Sequence, residues 1–213
     1  MRQEIEDFRN LRQIPYLLHF TRLESLQSII QQGLRPREQI DNGQIAAEIN
    51  DDLRLDGRRG FNCLSIAFPN SLMFHRFQQN NVGVDWPILV VNPLVMAHKH
   101  TLFCKHNAAD SRISCKSDGE LGSLASLAGL FEEISGHKSR EDQKLKNCDP
   151  TDVQAEVLIP GVIEPQYIHA VVFPSVAAKN VSAPFMGEKT SYVNDRRGLY
   201  ATRRYYRTWG AGA

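Results

Sequence analysis

"IPYLLHFTRLESLQSIIQQG", residues 14 to 33, sets a strand directly before a helix. Residues 14 to 21 are apolar or aromatic apart from Pro15, His19 and Thr21, as in a buried strand with a proline where it begins. The period then changes. Leu23, Leu26 and Ile30 fall on one face of a 3.6-residue repeat. Thr21 and Glu24 stand at capping-box spacing, and Gly33 sits where a helix-ending glycine belongs.

The rest of the chain reads outward from that unit. Residues 1 to 13 predict a short charged helix. "FNCLSIAFPN" (61 to 70) predicts a strand ended by Pro69 and Asn70, "SLMFHRFQQN" (71 to 80) a helix, and "DWPILVVN" (85 to 92) another strand. "VQAEVLI" (153 to 159) and "IHAVVFP" (168 to 174) predict the last clear strands. Two polar excursions interrupt them. Residues 35 to 60 read as a long loop with a helical turn at "QIAAEI", and residues 104 to 151 as irregular chain with one helical piece, "ELGSLASLAGLFEEIS" (120 to 135). The class is α+β, a core of mixed or antiparallel pairing, and 213 residues suit a single domain over 1–213.

Composition narrows the function classes. A net charge of +1 is not that of a protein coated in basic residues, although a local patch is enough to bind nucleic acid. No apolar run approaches the roughly 20 residues that span a bilayer. "MRQEIEDFRNLRQ" lacks the apolar segment of a signal peptide, and Cys63, Cys104, Cys115 and Cys148 show no CxxC spacing. A reduced, cytoplasmic protein without membrane contact is expected.

Glu156 raises the sharpest question. In "DVQAEVLI" (152 to 159) polar and apolar residues alternate and then turn wholly apolar. A carboxylate there is either a solvated edge residue or a catalytic group. His98, His100, Cys104 and His106 lie within nine residues, but only His100 and Cys104 have helical ligand spacing and no second cluster exists, so no metal site is expected. Neither a P-loop, a GxGxxG fingerprint nor a GxSxG elbow occurs.

Three further groups stay open on the residues alone. His19 is either a satisfied core histidine beside the cap Thr21, or one of a set of donors offered to a nucleotide. Arg54, Arg58 and Arg59 stand among three aspartates, either neutralised by them or reaching a phosphate. The run with Arg196, Arg197, Arg203, Arg204 and Arg207 holds Tyr192, Tyr200, Tyr205, Tyr206 and Trp209 as well. It suits stacked bases and phosphates, and it equally suits an amphipathic closing strand.

Six stretches in order, "LLHFTRLESLQSIIQQGL", "RLDG", "SIAFPNSLMF", "WPILVVNPLV", "FCKHNAA" and "QAEVLI", resemble the DarT family over about residues 14 to 175. These are the toxin halves of DarTG toxin–antitoxin systems, NAD-dependent ADP-ribosyltransferases acting on bases of single-stranded DNA. The resemblance implies an ADP-ribosyltransferase fold, a split antiparallel β core with helices around it and two long functional loops. It implies that His19, Phe20 and Thr21 hold the nicotinamide–ribose end of NAD, with Ser28 near the same ligand. Arg54 matches an essential arginine, in a loop about a residue different in length, and acts on the NAD pyrophosphate or on the target base. Glu156 matches the catalytic glutamate, and residues 104 to 155 match the loop presenting the target nucleotide. A thymine-associated branch has an "HDYVPFYF"-like strand where this chain has "FNCLSIAFPN", so the resemblance favours the guanine branch. It also implies a macrodomain antitoxin (DarG-like) as partner.

The chemistry explains a glutamate at 156. Cleaving the nicotinamide–ribose bond develops an oxocarbenium-like charge, which a nearby carboxylate stabilises while it takes a proton from the attacking base. Three alternatives remain. One is the same fold acting on RNA or protein, for which Gln154, two residues before Glu156, has the spacing. Another is a non-catalytic nucleic-acid-binding module built on the C-terminal run. The third is an inactive interaction domain in which Glu156 is only an edge residue.

Overall fold

The computed structural model describes residues 1–39, 57–194 and 198–209. Arg54, Arg196 and Arg197 lie outside the described residues. The elements follow in chain order. Helix α1 (Arg2–Leu11) leads to strand β1 (Leu17–Phe20), then α2 (Leu23–Gln32) and the single turn α3 (Arg37–Gln39). Next come β2 (Phe61–Ile66), α4 (Ser71–Asn80), β3 (Ile88–Val91), α5 (Val95–His98) and β4 (Leu102–Cys104). Three short helices follow, α6 (Ser111–Ser114), α7 (Asp118–Leu121) and α8 (Leu124–Gly129). The chain then closes through β5 (Glu156–Pro160), β6 (Ile168–Phe173), α9 (Val176–Ser182), β7 (Thr190–Val193) and α10 (Arg203–Trp209).

The strands make a seven-stranded sheet in the order β4-β5-β2-β1-β3-β6-β7. Every pairing is antiparallel except β6 with β7, which is parallel. The sheet forks. β1 follows β3 from Leu17↔Val91 to Phe20↔Ile88, and β2 follows β5 from Phe61↔Pro160 to Leu64↔Val157. β1 and β2 themselves share only the rungs Leu17↔Ile66 and Leu18↔Ser65. Beyond Leu18 these two strands lose their register, and the sheet divides into two wings.

Alternation along the strands sends side chains to two apolar layers. Leu17, Leu64, Leu89, Val157 and Val171 pack with Leu26, Ile29 and Ile30 of α2. Leu18, Ile88 and Val172 pack with Phe74 of α4 and Trp86 on the other face. At the β4–β5 wing that second face is covered by Ile113 of α6 and Leu121 of α7, against Leu102, Cys104 and Leu158. Each such side chain taken from water contributes about 1.5–3 kcal/mol. Gly33 ends α2 at φ +93, and a Cβ there would stand 2.5 Å from the Ile163 carbonyl oxygen. Only glycine lets the chain pass so close and pair Leu34 with Ile163.

Three sequence expectations are corrected. Thr21 does not cap α2. Its N–H bonds the Pro87 carbonyl at 3.0 Å, which carries the β1–β3 pairing one step past Phe20, and the helix starts at Leu23 without a side-chain cap. The single helix expected over 120–135 is two, α7 and α8, because Ser123 turns aside to cap Ser126. The C-terminal run closes as a helix, not a strand, after an unforeseen α9 and β7. Among the described residues no helix is long and apolar enough to cross a membrane.

Candidate active site

Glu156 is the first residue of β5 and is 5% exposed. Its strand pairs with β4 at Cys104. Continuing the β2–β5 register one rung past Leu64↔Val157 sets Glu156 level with Ser65, the residue paired on its other side with Leu18. Two strand spacings, roughly 10 Å, therefore separate the backbones of Glu156 and β1 at the fork. The carboxylate stands where the sheet divides.

The loop after β4 grips it. The Ala108 N–H donates to Oε2 of Glu156 at 2.7 Å, and the Asn107 amide lies 3.4 Å from Oε1. Asn107 also accepts from the Ala109 N–H, and Asp110 caps α6 through the Arg112 N–H. Beside Asn107, His106 Nδ1 is 2.7 Å from Asp152 Oδ2, and both side chains are buried. Glu156 is thus fixed from two directions, by its own strand and by the 106–108 loop.

His19 spans the fork. Its Nδ1 lies 2.9 Å from the Cys63 carbonyl, which can only accept, so Nδ1 carries the proton of that bond. A side chain thereby joins β1 to β2 one residue beyond their last backbone rung. Phe20 turns into the aromatic layer, stacked on Phe74 at 4.6 Å and edge-on to Trp86 at 6.3 Å. Thr21 is buried after β1. Ser28 is half-buried on α2, its hydroxyl donating to the Ser25 carbonyl at 2.9 Å. His19 and Glu156 flank the same fork. Phe20 belongs to the core behind it, and the Ser28 hydroxyl is turned to its own helix.

Arg58 is engaged away from Glu156, donating to Asp118 Oδ1 at 2.9 Å and to the Lys116 carbonyl at 2.7 Å. A cleft of about 650 Å³ opens beside it at the Phe61 end of β2. Arg203 and Arg207 of the C-terminal run face inward to the segment preceding β5. Burial pushes the Arg203 pKa down to about 10. His98 meets the Tyr167 hydroxyl, and among the described residues no group of three His, Cys, Asp or Glu converges on a metal position.

A family model described as "ssDNA thymidine ADP-ribosyltransferase, DarT" matches residues 18–191. The chain belongs to the DarT family. Its fold is that of solved DarT structures. The Thermosipho africanus DarTG in complex with ADP-ribose superposes with TM-score 0.59 at 16% identity, over 87% of this chain and 50% of that one. This DarT chain therefore spans about half the length of that DarTG chain. The Thermus sp. 2.9 DarT in complex with NAD+ gives TM-score 0.52 at 11% identity, covering 84% of this chain and 94% of that one. The same Thermus DarT in complex with ADP-ribosylated ssDNA gives 0.55 at 14%, covering 89% and 97%. No curated protein sequence matches. The fork itself carries one buried, hydrogen-bonded carboxylate, Glu156, with His19 bound to β2, the strand between them.

Proposed function

We propose that this chain transfers ADP-ribose from NAD to a base of single-stranded DNA, with guanine as the base. The observation that carries the reading is Glu156, a buried carboxylate fixed by the Ala108 N–H where the sheet divides. NAD supplies the ribose carbon and the nicotinamide leaving group. Glu156 stabilises the positive charge that develops at that carbon as the C–N bond breaks and nicotinamide departs with the electron pair. It then accepts the proton released when a base nitrogen forms the new bond. His19, Phe20 and Thr21 hold the nicotinamide–ribose end, Ser28 lies near it, and Arg54 acts on the pyrophosphate or the base. The reacting base must leave any duplex stack, which accounts for a single-stranded acceptor.

Guanine rests on the β2 stretch "FNCLSIAFPN", which departs from the thymine-associated strand. A macrodomain antitoxin is the partner this reading calls for, since an enzyme that modifies its own host's DNA has to be reversed. The test is mass spectrometry of short oligonucleotides, each lacking one base, after incubation with NAD. A mass gain of one ADP-ribose that disappears only without guanine supports both parts. Dependence on thymine keeps the enzyme and overturns the base, while modification of RNA or protein alone overturns the DNA acceptor.

A further inference from the structure

Three arginines converge on the segment just before β5. Arg207 forks onto Asp149, with Nη2 to Oδ1 at 2.6 Å and Nε to Oδ2 at 2.7 Å, and Asp149 is fully buried. Arg203, 6% exposed, donates to the Pro150 carbonyl at 2.7 Å and the Thr151 carbonyl at 3.0 Å. Arg140 donates to the Asp149 carbonyl at 2.8 Å and to the Thr151 hydroxyl at 2.9 Å. Two of the three come from α10, some fifty residues later in the chain.

The held turn leads directly to the reacting carboxylate. Asp152 accepts from the Gln154 N–H at 2.8 Å, its carbonyl accepts from the Ala155 N–H at 3.2 Å, and Glu156 follows. The other carboxylate oxygen of Asp152 meets His106, two residues before the Ala108 N–H that holds Glu156. Both supports of Glu156, its strand and its donor loop, therefore hang from the turn that α10 fixes. A closing helix needed only for burial would use leucines there, since a buried guanidinium gives up its hydration. What the guanidinium adds is geometry: a planar fork of donors that accepts one arrangement of carbonyls and carboxylate.

We infer that α10 is a positioning element for the transfer step, with Arg203 and Arg207 as positioning residues that set Glu156 through the 149–152 turn. The inference rests on Glu156 being the reacting carboxylate. A misplacement of about 1 Å at a reacting group costs on the order of a hundredfold in rate, so loosening this turn reaches the chemistry without touching it.

The test compares Arg203→Lys and Arg207→Lys with the wild-type protein on a single-stranded oligonucleotide. Each keeps the charge and gives up the fork. The expected result is a kcat lowered about tenfold or more, with KM for NAD within about threefold. Far-ultraviolet circular dichroism stays unchanged, and amide exchange quickens at 105–110 and 152–157 but not in α2. Methylguanidinium added to Arg203→Ala restores part of the kcat. Wild-type kcat in both lysine variants, or a loss that only follows the fraction of folded protein, overturns the inference. Should a variant not fold, Asp149→Asn is measured in its place. If the wild-type protein itself transfers nothing, the reading of Glu156 fails, while unchanged exchange at 105–110 in the variants overturns the α10 inference on its own.

Discussion

At Glu156, charge and shape can be separated. Glu156→Gln keeps the volume and an oxygen for the Ala108 N–H, so the loop stays held there, while the negative charge and the long bond from Asn107 are lost. Transfer is expected to fall by about 10²–10³, the range for removing one group that stabilises transition-state charge, with little change in Tm. Glu156→Ala also strands that buried N–H, at a cost of about 1–3 kcal/mol. Rates on a labelled oligonucleotide, together with melting curves, check both, and a Gln variant at wild-type rate removes Glu156 from the chemistry. His19→Ala breaks the bridge to the Cys63 carbonyl and is expected to raise KM for NAD more than it lowers kcat. The anomaly at Glu156 is legible in the sequence because a carboxylate in an otherwise apolar strand conflicts with burial. Its partners are not: nothing in "FCKHNAA" says that the Ala108 backbone, rather than a side chain, holds the carboxylate. Arg54 stays an expectation drawn from resemblance, outside the described residues.

Among the elements, those with a strong period are legible in the sequence and those built by long-range bonds are not. The α2 repeat survives because Leu26, Ile29 and Ile30 bury whatever caps the helix, so the misassigned Thr21 cap changed only its first residue. Residues 120 to 135 carry helical composition, but Ser117 and Ser123 cap two separate turns. The C-terminal run is ambiguous by composition, because the partners of Arg203 and Arg207 lie fifty residues away. Tyr200, just before α10, gives this end of the molecule a pH signature. Its hydroxyl lies 2.8 Å from the Trp86 carbonyl and 2.9 Å from the Val172 carbonyl, and its single hydrogen serves the two in turn. Burial, with a smaller contribution from Asp85, pushes its ionisation well above the ordinary tyrosine value. The folded pKa is thus raised above the unfolded value near 10, so the stability it contributes is complete below about pH 10 and is lost as pH rises beyond it. Tm is expected to drop as pH rises above about 10, and Tyr200→Phe to lessen that drop while costing about 1 kcal/mol at neutral pH. Burial raises Tyr16 in the same sense, so part of the slope remains. An unchanged slope in Tyr200→Phe places the alkaline transition elsewhere.

On the scale of the whole molecule, the forked sheet and the charge balance bear on how DNA is held. The sheet brings β5 and β1 to either side of β2, so Glu156 and His19, more than a hundred residues apart in sequence, lie on strands only two spacings apart. The basic run at the C-terminus, which composition offered as a DNA-binding stripe, has Arg203 and Arg207 committed to the turn before β5. With 25 Lys and Arg set against 24 Asp and Glu, the chain carries no broad excess of positive charge for the phosphates. Each phosphate neutralised on a single strand changes log K against log salt by about −0.7, so two to four contacts give a slope of about −1.4 to −2.8. The affinity itself is expected to be no tighter than about micromolar at physiological salt, the level of weak non-specific binding. Titrating a fluorescent oligonucleotide from 50 to 300 mM salt measures both, the range being set by where such electrostatic binding varies most, at roughly these concentrations. A slope steeper than about −5 would require a broad basic surface, and recognition would then rest on phosphates rather than on one extruded base at the fork.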